Sequence, residues 1–394
     1  MKHRRNVILL ASVLLVLLAA GPGFAATVAV GTCMPGRVSF DSLTDAVQGV
    51  PAGSTILVCP GTYAEQIVIN RSLTMKGVTN GNSGYPVLVP PTGGLVTNAT
   101  GLNVFSFYGA GTQFAAQIVI TGGVTVTLNG LALDATGYNL PTCFPYVVGV
   151  LIQDSSATLA GMAIKNQLET GPPPCPAGGN GAGVLAQNDT GLALTVNVHD
   201  STFVNAAQAF ESDGAGNTST LSNNSLVASP ASDWNAISIL SGNSTIQGNS
   251  ISDYNYPGAG TNINAAAYGV FIECVPGGTV ASNTISNTQV GIYIYNGCPT
   301  NSVSVTGNKV SDASLIGIDE GGLNGLVQGN DIRTTQTAIR IPGSSAGNTI
   351  QNNNINDTCA AFGANPAAGV NNILNNTVFN AINLAIVNTT GLCP

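Results

Sequence analysis

One tripeptide recurs through the second half of the chain at a nearly constant interval, and that interval limits the possible folds more than any other feature. Asn-x-(Ile/Val/Leu) begins at Asn224, Asn249, Asn283, Asn308, Asn330, Asn353 and Asn376, in steps of 25, 34, 25, 22, 23 and 23 residues. The long step contains an insertion from Asp253 to Ala266, rich in Tyr, Pro, Gly and Asn, which reads as an excursion loop. A second marker keeps the same interval: Gly269-Val-Phe-Ile, Gly291-Ile-Tyr-Ile, Gly317-Ile-Asp and Ala338-Ile-Arg-Ile. A third short strand precedes each Asn, as in Ser244-Thr-Ile and Gly325-Leu-Val. Hairpins reverse direction within about 2–5 residues and give no such period. A coil that climbs one strand spacing, ~4.8 Å, per turn does give it. The expected fold is therefore all-β: a single right-handed parallel β-helix of roughly ten coils, the hand following the crossover rule. A propeller blade would need about 40–45 residues, twice the interval found.

The register extends upstream, where Asp200-Ser-Thr-Phe, Gly161-Met-Ala-Ile and Gly130-Leu-Ala-Leu take the Asn-x-Ile position. Phe40, Leu43, Ala46, Val47 and Val50 follow helical spacing. A solenoid needs a cap over its first open coil, so a short capping helix is expected at about 39–50. Composition agrees. Charged residues are only 7% and Gly is 49 of 394 residues, which excludes a helical bundle or coiled coil and argues against disorder.

The first 25 residues read as a signal peptide: Lys2, Arg4 and Arg5 precede an apolar stretch from Val7 to Ala20, then Gly21-Pro22-Gly23. The β-helix domain is expected over residues 26–394. Without the leader, seven basic residues face 18 acidic ones, so nucleic acid is not an expected partner. A secreted chain, extracellular, periplasmic or at a cell surface, is expected, with no membrane association after cleavage and a monomeric state. Eight cysteines, Cys33, Cys59, Cys143, Cys175, Cys274, Cys298, Cys359 and Cys393, then imply disulfides. Paired in order they span 26, 32, 24 and 34 residues, each near one coil or one coil plus a loop.

Ser39 to Val78 resembles the opening of pectin-methylesterase-like and NosD-like right-handed β-helices. Their pattern is a cap helix, P-x-G-x-x-I-x-V-x-P-G-x-Y-x-E, then a basic residue before L-T. Here it reads as Pro51-Ala-Gly53, Pro60-Gly61-Thr-Tyr63-Ala-Glu65 and Arg71-Ser-Leu73-Thr74. The resemblance implies the pectin-lyase-like fold, which hosts many activities. The catalytic motifs of pectin methylesterases and polygalacturonases are absent. Arg340-x-Pro342 matches the first half of the pectate lyase R-x-P-x-x-R element, with Ser345 in place of the second Arg.

Stacking also lists the outward side chains of the Gly-Ile-x-Ile strand. At the first outward position come Leu151, Leu185, Glu211, Ser238, Phe271, Tyr293, Asp319 and Arg340; at the second, Gln153, Gln187, Asp213, Leu240, Glu273, Tyr295, Gly321 and Pro342. With Glu320 beside them, Glu211, Asp213, Phe271, Tyr293 and Tyr295 form a candidate substrate-binding face, and Glu273, Asp319 and Arg340 a candidate catalytic set. Aromatic faces stack on sugar C–H surfaces, while carboxylates and guanidinium bind hydroxyls. Glu273 and Asp319, two coils apart, stand ~9–10 Å from each other, at the edge of the ~6.5–9.5 Å of an inverting glycosidase. The blander reading is a solvated face on which Arg340 neutralises Asp319. His199, the one histidine beyond the leader, reads as a coil residue. No metal site stands out, with Ca²⁺ a candidate ligand of the acidic surface.

The sequence thus points to a secreted β-helix that binds polysaccharide, pectin-like or another cell-surface glycan. Processing by lyase or glycoside hydrolase chemistry stays open. The alternative is a non-catalytic structural or adhesive surface protein.

Overall fold

The structure is a computed structural model. It describes residues 24–79, 84–104, 108–140, 144–168, 180–228, 235–255, 260, 262–263, 266–295, 297–298, 301–388, 390 and 392. Most of the expected leader lies outside these residues.

The chain winds as a right-handed parallel β-helix with three long sheets of 14, 12 and 13 strands. One coil shows the path. Asn217–Ser222 lies in the first sheet, Ser225–Val227 in the second and Ile237–Ser241 in the third, and Asn243–Gln247 returns to the first one rung higher. All sheet neighbours pair in parallel except Ala99–Thr100, which runs antiparallel to Gln113–Ile120. Twelve coils form, against the roughly ten expected. The difference arises at the N-terminus, where Thr62–Ala64, Ile67–Ile69 and Leu73–Gly77 complete a coil of their own ahead of the readable repeat.

Inward Ile, Val and Leu from all three sheets make one continuous core, with rows such as Leu133, Ile164, Phe203, Leu226 and Ile251 in direct register. The regular beat of Asn has a specific cause. Asn308 Nδ2 donates to Asn330 Oδ1 (3.0 Å) and to the Val280 carbonyl (2.9 Å), and Asn308 N donates to the same Asn330 oxygen (2.9 Å). The same set repeats from Asn224 to Asn376. Each buried amide thus satisfies a bend whose backbone groups would otherwise be orphaned. The residue before each stacked Asn holds a positive φ, +66° at Gly248 and +55° at Asn352. Gly and Asn tolerate that left-handed conformation best.

The helix spans Leu43–Gly49, with Ser42 as its N-cap, and Leu43, Ala46 and Val47 face the core. The motif residues shared with other β-helices hold it in place. Glu65 accepts from Leu43 N (2.9 Å), Thr44 N (2.8 Å) and Thr44 Oγ1 (2.6 Å). Arg71 Nη1 donates to the carbonyls of Val50 (2.7 Å) and Gln48 (3.2 Å). Tyr63 OH donates to the Cys59 carbonyl. Two bridges form as paired in order, Cys33–Cys59 and Cys274–Cys298. Cys359 is also disulfide-bonded, while Cys143, Cys175 and Cys393 lie outside the described residues. Among the described residues no helix is long and apolar enough to cross a membrane.

Candidate functional site

The outward row of the third sheet is assembled rung by rung. Leu151, Leu185, Glu211, Ser238, Phe271, Tyr293, Asp319 and Arg340 each pair with the next in register. The order is the one that the repeat interval gives. Its surroundings are not.

The row was expected on an open face, and its middle is instead covered. Phe271 and Tyr293 pack with Leu240, Ala266, Tyr268, Val290, Leu315, Ile316 and Leu392 in a second apolar cluster outside the coil. Ring centroids lie 5.3 Å apart for Tyr268–Phe271, 4.9 Å for Tyr268–Tyr293 and 5.5 Å for Phe271–Tyr293. Ile263 and Ala266 of the insertion close the cluster from one side and Leu392 of the C-terminal tail from the other. Stacked rings leave an apolar surface that is unfavourable to hydrate, so the loop and the tail fold over it.

Asp319 is fully buried at the edge of this cluster. Its Oδ2 lies 2.7 Å from Arg340 Nη1, and Arg340 Nε donates to the Thr390 carbonyl at 2.7 Å. Burial pushes the Asp319 carboxyl up to about 6, although the guanidinium pulls the other way. The Tyr268 and Tyr293 phenols are raised as well, first by burial and then by the charge of Asp319. Asp319 Oδ1 has no hydrogen-bond partner among the described residues.

The other nominated residues divide. Glu273 and Tyr295 lie on the outward side and are partly exposed, with Tyr295 within 6.3 Å of the Phe271 ring. Burial raises the Glu273 carboxyl. Glu211 and Asp213 are outward but fully buried. Glu211 stands four rungs from Asp319, ~19 Å by strand spacing, so it does not join that pair. Glu320 is a correction. It pairs with Ile294 and lies two residues from Ile318, both members of the interior core, so its carboxyl enters the coil interior instead of the outward face. Gly322 N donates to its Oε1 at 3.0 Å, and burial drives the group up to about 8. Strand alternation already carried that signal, since Ile318 and Glu320 are two apart. Tyr268 and Thr390 were not nominated. Tyr268 precedes the Gly marker, in register with apolar Val290 and Ile316; nothing in the repeat pointed to the tail.

Comparison with known proteins places this geometry. The family model of NosD, described as periplasmic copper-binding protein, matches residues 259–392. The crystal structure of GH136 lacto-N-biosidase from Eubacterium ramulus is similar over 90% of this chain and 68% of that one, at 10% identity and a TM-score of 0.53. DFA-IIIase from Arthrobacter chlorophenolicus A6 is similar over 83% and 80%, at 14% identity and a TM-score of 0.51. The catalytic domain of GH87 α-1,3-glucanase is similar over 93% and 66%, at 13% identity and a TM-score of 0.50. The fold shared with these structures is the right-handed parallel β-helix. At these identities the likeness of the β-helix to the three enzymes is one of fold. Comparison with curated protein sequences finds no match.

Proposed function

We propose that the protein is a secreted, disulfide-braced β-helix that binds polysaccharide along the outward row of the third sheet, between Tyr268 and Arg340. The observation that carries this reading is the unbroken column of Phe271, Tyr293, Asp319 and Arg340, with Tyr295 and Glu273 partly exposed beside it. Rings offer flat apolar faces to sugar C–H groups; the carboxylates and the guanidinium suit hydroxyls or a uronate. A sugar meets Tyr295 and Glu273 first, beside the Asp319–Arg340 pair, whose guanidinium also donates to the Thr390 carbonyl. The similar fold of three carbohydrate-active enzymes is consistent with this use of the scaffold.

If the site is catalytic, its chemistry fits hydrolysis better than elimination. Arg340 is doubly engaged as a cation donor, to Asp319 and to the Thr390 carbonyl, which does not suit a proton-abstracting base. Asp319, raised to about 6, is suited to exchange a proton near neutral pH. The structural or adhesive reading is favoured by one observation, the burial of Phe271, Tyr293 and Asp319.

Copper does not fit the segment that matches the NosD model. Residues 259–392 contain no His or Met, Cys274 and Cys298 are joined to each other, and Cys359 is disulfide-bonded. Among the described residues no three His, Cys, Asp or Glu side chains group as a metal site. Residues 259–392 therefore lack the soft ligands that copper prefers.

A glycan array with and without Ca²⁺ tests the reading, because a mature chain with 7 basic against 18 acidic residues, a net charge of −11, meets an acidic glycan most easily through a bridging cation. Tyr295→Ala with Glu273→Gln is expected to weaken retention at least about 10-fold, equivalent to the loss of one stacking contact or charged hydrogen bond. Retention that survives this pair and also Phe271→Ala, Tyr293→Ala and Asp319→Ala together would remove the proposed face. Folded protein that retains no glycan would leave the structural reading. Release of reducing ends or of unsaturated uronate absorbance would separate hydrolase from lyase.

A further inference from the structure

The two ends of the β-helix are finished differently. At the N-terminal end the helix Leu43–Gly49 lies over the first coil, held by Glu65 and Arg71. At the other end the last coil, Asn372–Leu374, Thr377–Phe379 and Asn383–Val387, is the terminal strand of all three sheets. The interior row shows the consequence. Ile350 is 0% exposed, whereas Ile373, its register partner one rung higher, is 46% exposed. Val370, Leu374, Phe379, Ile382, Leu384 and Val387 are exposed around it. With Ile373, they expose roughly 800 Å² of apolar residue surface, similar to the ~800 Å² that each partner buries in a standard interface.

Natural sheet edges are usually guarded by charge, because bare edges recruit other strands. This end has no such guard: no Asp, Glu, Lys, Arg or His occurs after Asp357. We infer that this end face is a homodimer interface, in which a second copy packs tail-to-tail against the open coil. Three observations select that occupant. A partner recognised through charge would find no handle here, whereas two mature chains, each with 7 basic against 18 acidic residues and so a net charge of −11, can meet at an end without charged side chains and so without repulsion. The helix covers the opposite end, so head-to-tail stacking into a filament is blocked, leaving a closed two-fold pair. The exposed area is that of a stable pair.

Sedimentation velocity on the full mature chain, joined with small-angle X-ray scattering, tests this. A dimer about twice as long as the monomer and no wider is expected. Val370→Lys and Ile382→Lys, at side chains 85% and 81% exposed, lose almost no packing within the monomer and place like charges against each other across the two-fold axis. They should weaken dimerisation by at least about 100-fold while the circular dichroism spectrum stays unchanged. A monomer at high protein concentration, a dimer that is wider instead of longer, a growing filament, or a dimer indifferent to both lysines would each overturn the inference. Wild-type and lysine variants can be compared on the same glycan array, so failure of this interface and failure of the glycan face are read separately.

Discussion

Arg340 and Asp319 occupy the same outward row on adjacent coils, with Nη1 and Oδ2 2.7 Å apart and the carboxylate fully buried. The Thr390 carbonyl takes a second donor of the guanidinium. Arg340 thus links two coils to the C-terminal tail.

Removing one member of this pair should be far worse than removing both. Arg340→Met leaves a buried carboxylate without its cation and is expected to cost about 3–5 kcal/mol. Combining it with Asp319→Leu should recover most of that loss. Urea unfolding followed by circular dichroism measures both, and a double variant no more stable than Arg340→Met would contradict a simple buried pair.

Stability should fall as pH rises from acid toward mildly alkaline values. Asp319 and Glu320 have folded pKa values near 6 and 8, above the ordinary 3.8 and 4.5. Between the ordinary and the raised value the folded chain holds more protons than the unfolded one, so each rise in pH favours unfolding. The Asp319 contribution is spent by about pH 6 and that of Glu320 by about pH 8. Glu320→Gln should flatten the decline between pH 6 and 8, by an amount on the order of a few kcal/mol. Thermal melts across pH for both chains check it; parallel slopes would rule out Glu320 as the source.

Replacing a ladder amide should cost most in the middle of the stack. Asn308→Ala strands the amide N–H of Asn283 and the Val280 carbonyl in the interior, with an expected cost of about 3 kcal/mol. Asn376→Ala, in the last coil, removes a part-buried acceptor and should cost about 1 kcal/mol. Equal losses in denaturant midpoint would mean that the ladder does not act through buried polar groups.

Glu65→Ala should loosen the cap without disturbing the distant coils. The carboxylate accepts three hydrogen bonds at the start of the helix, where the dipole also favours negative charge. The expected loss is about 1–3 kcal/mol, as for other charged hydrogen bonds. Hydrogen exchange should quicken at Leu43 and Thr44 and stay unchanged in the ladder beyond Asn224.

Much of this architecture was legible because a parallel coil converts distance along the chain into height. Residues about 23 apart become vertical neighbours, so the row from Leu151 to Arg340 and the bridge Cys274–Cys298 followed from counting. Even the inward turn of Glu320 was present, in its spacing from Ile318.

Sequence alone determined the winding and the order of side chains up each face, since hydrogen-bonded register depends only on local period and alternation. Tertiary structure alone decided what lies over those faces. The insertion and the tail have no repeat, and they settle wherever they bury most apolar surface. The same Phe271–Tyr293 column that could have faced water is therefore sealed by Ile263, Ala266 and Leu392.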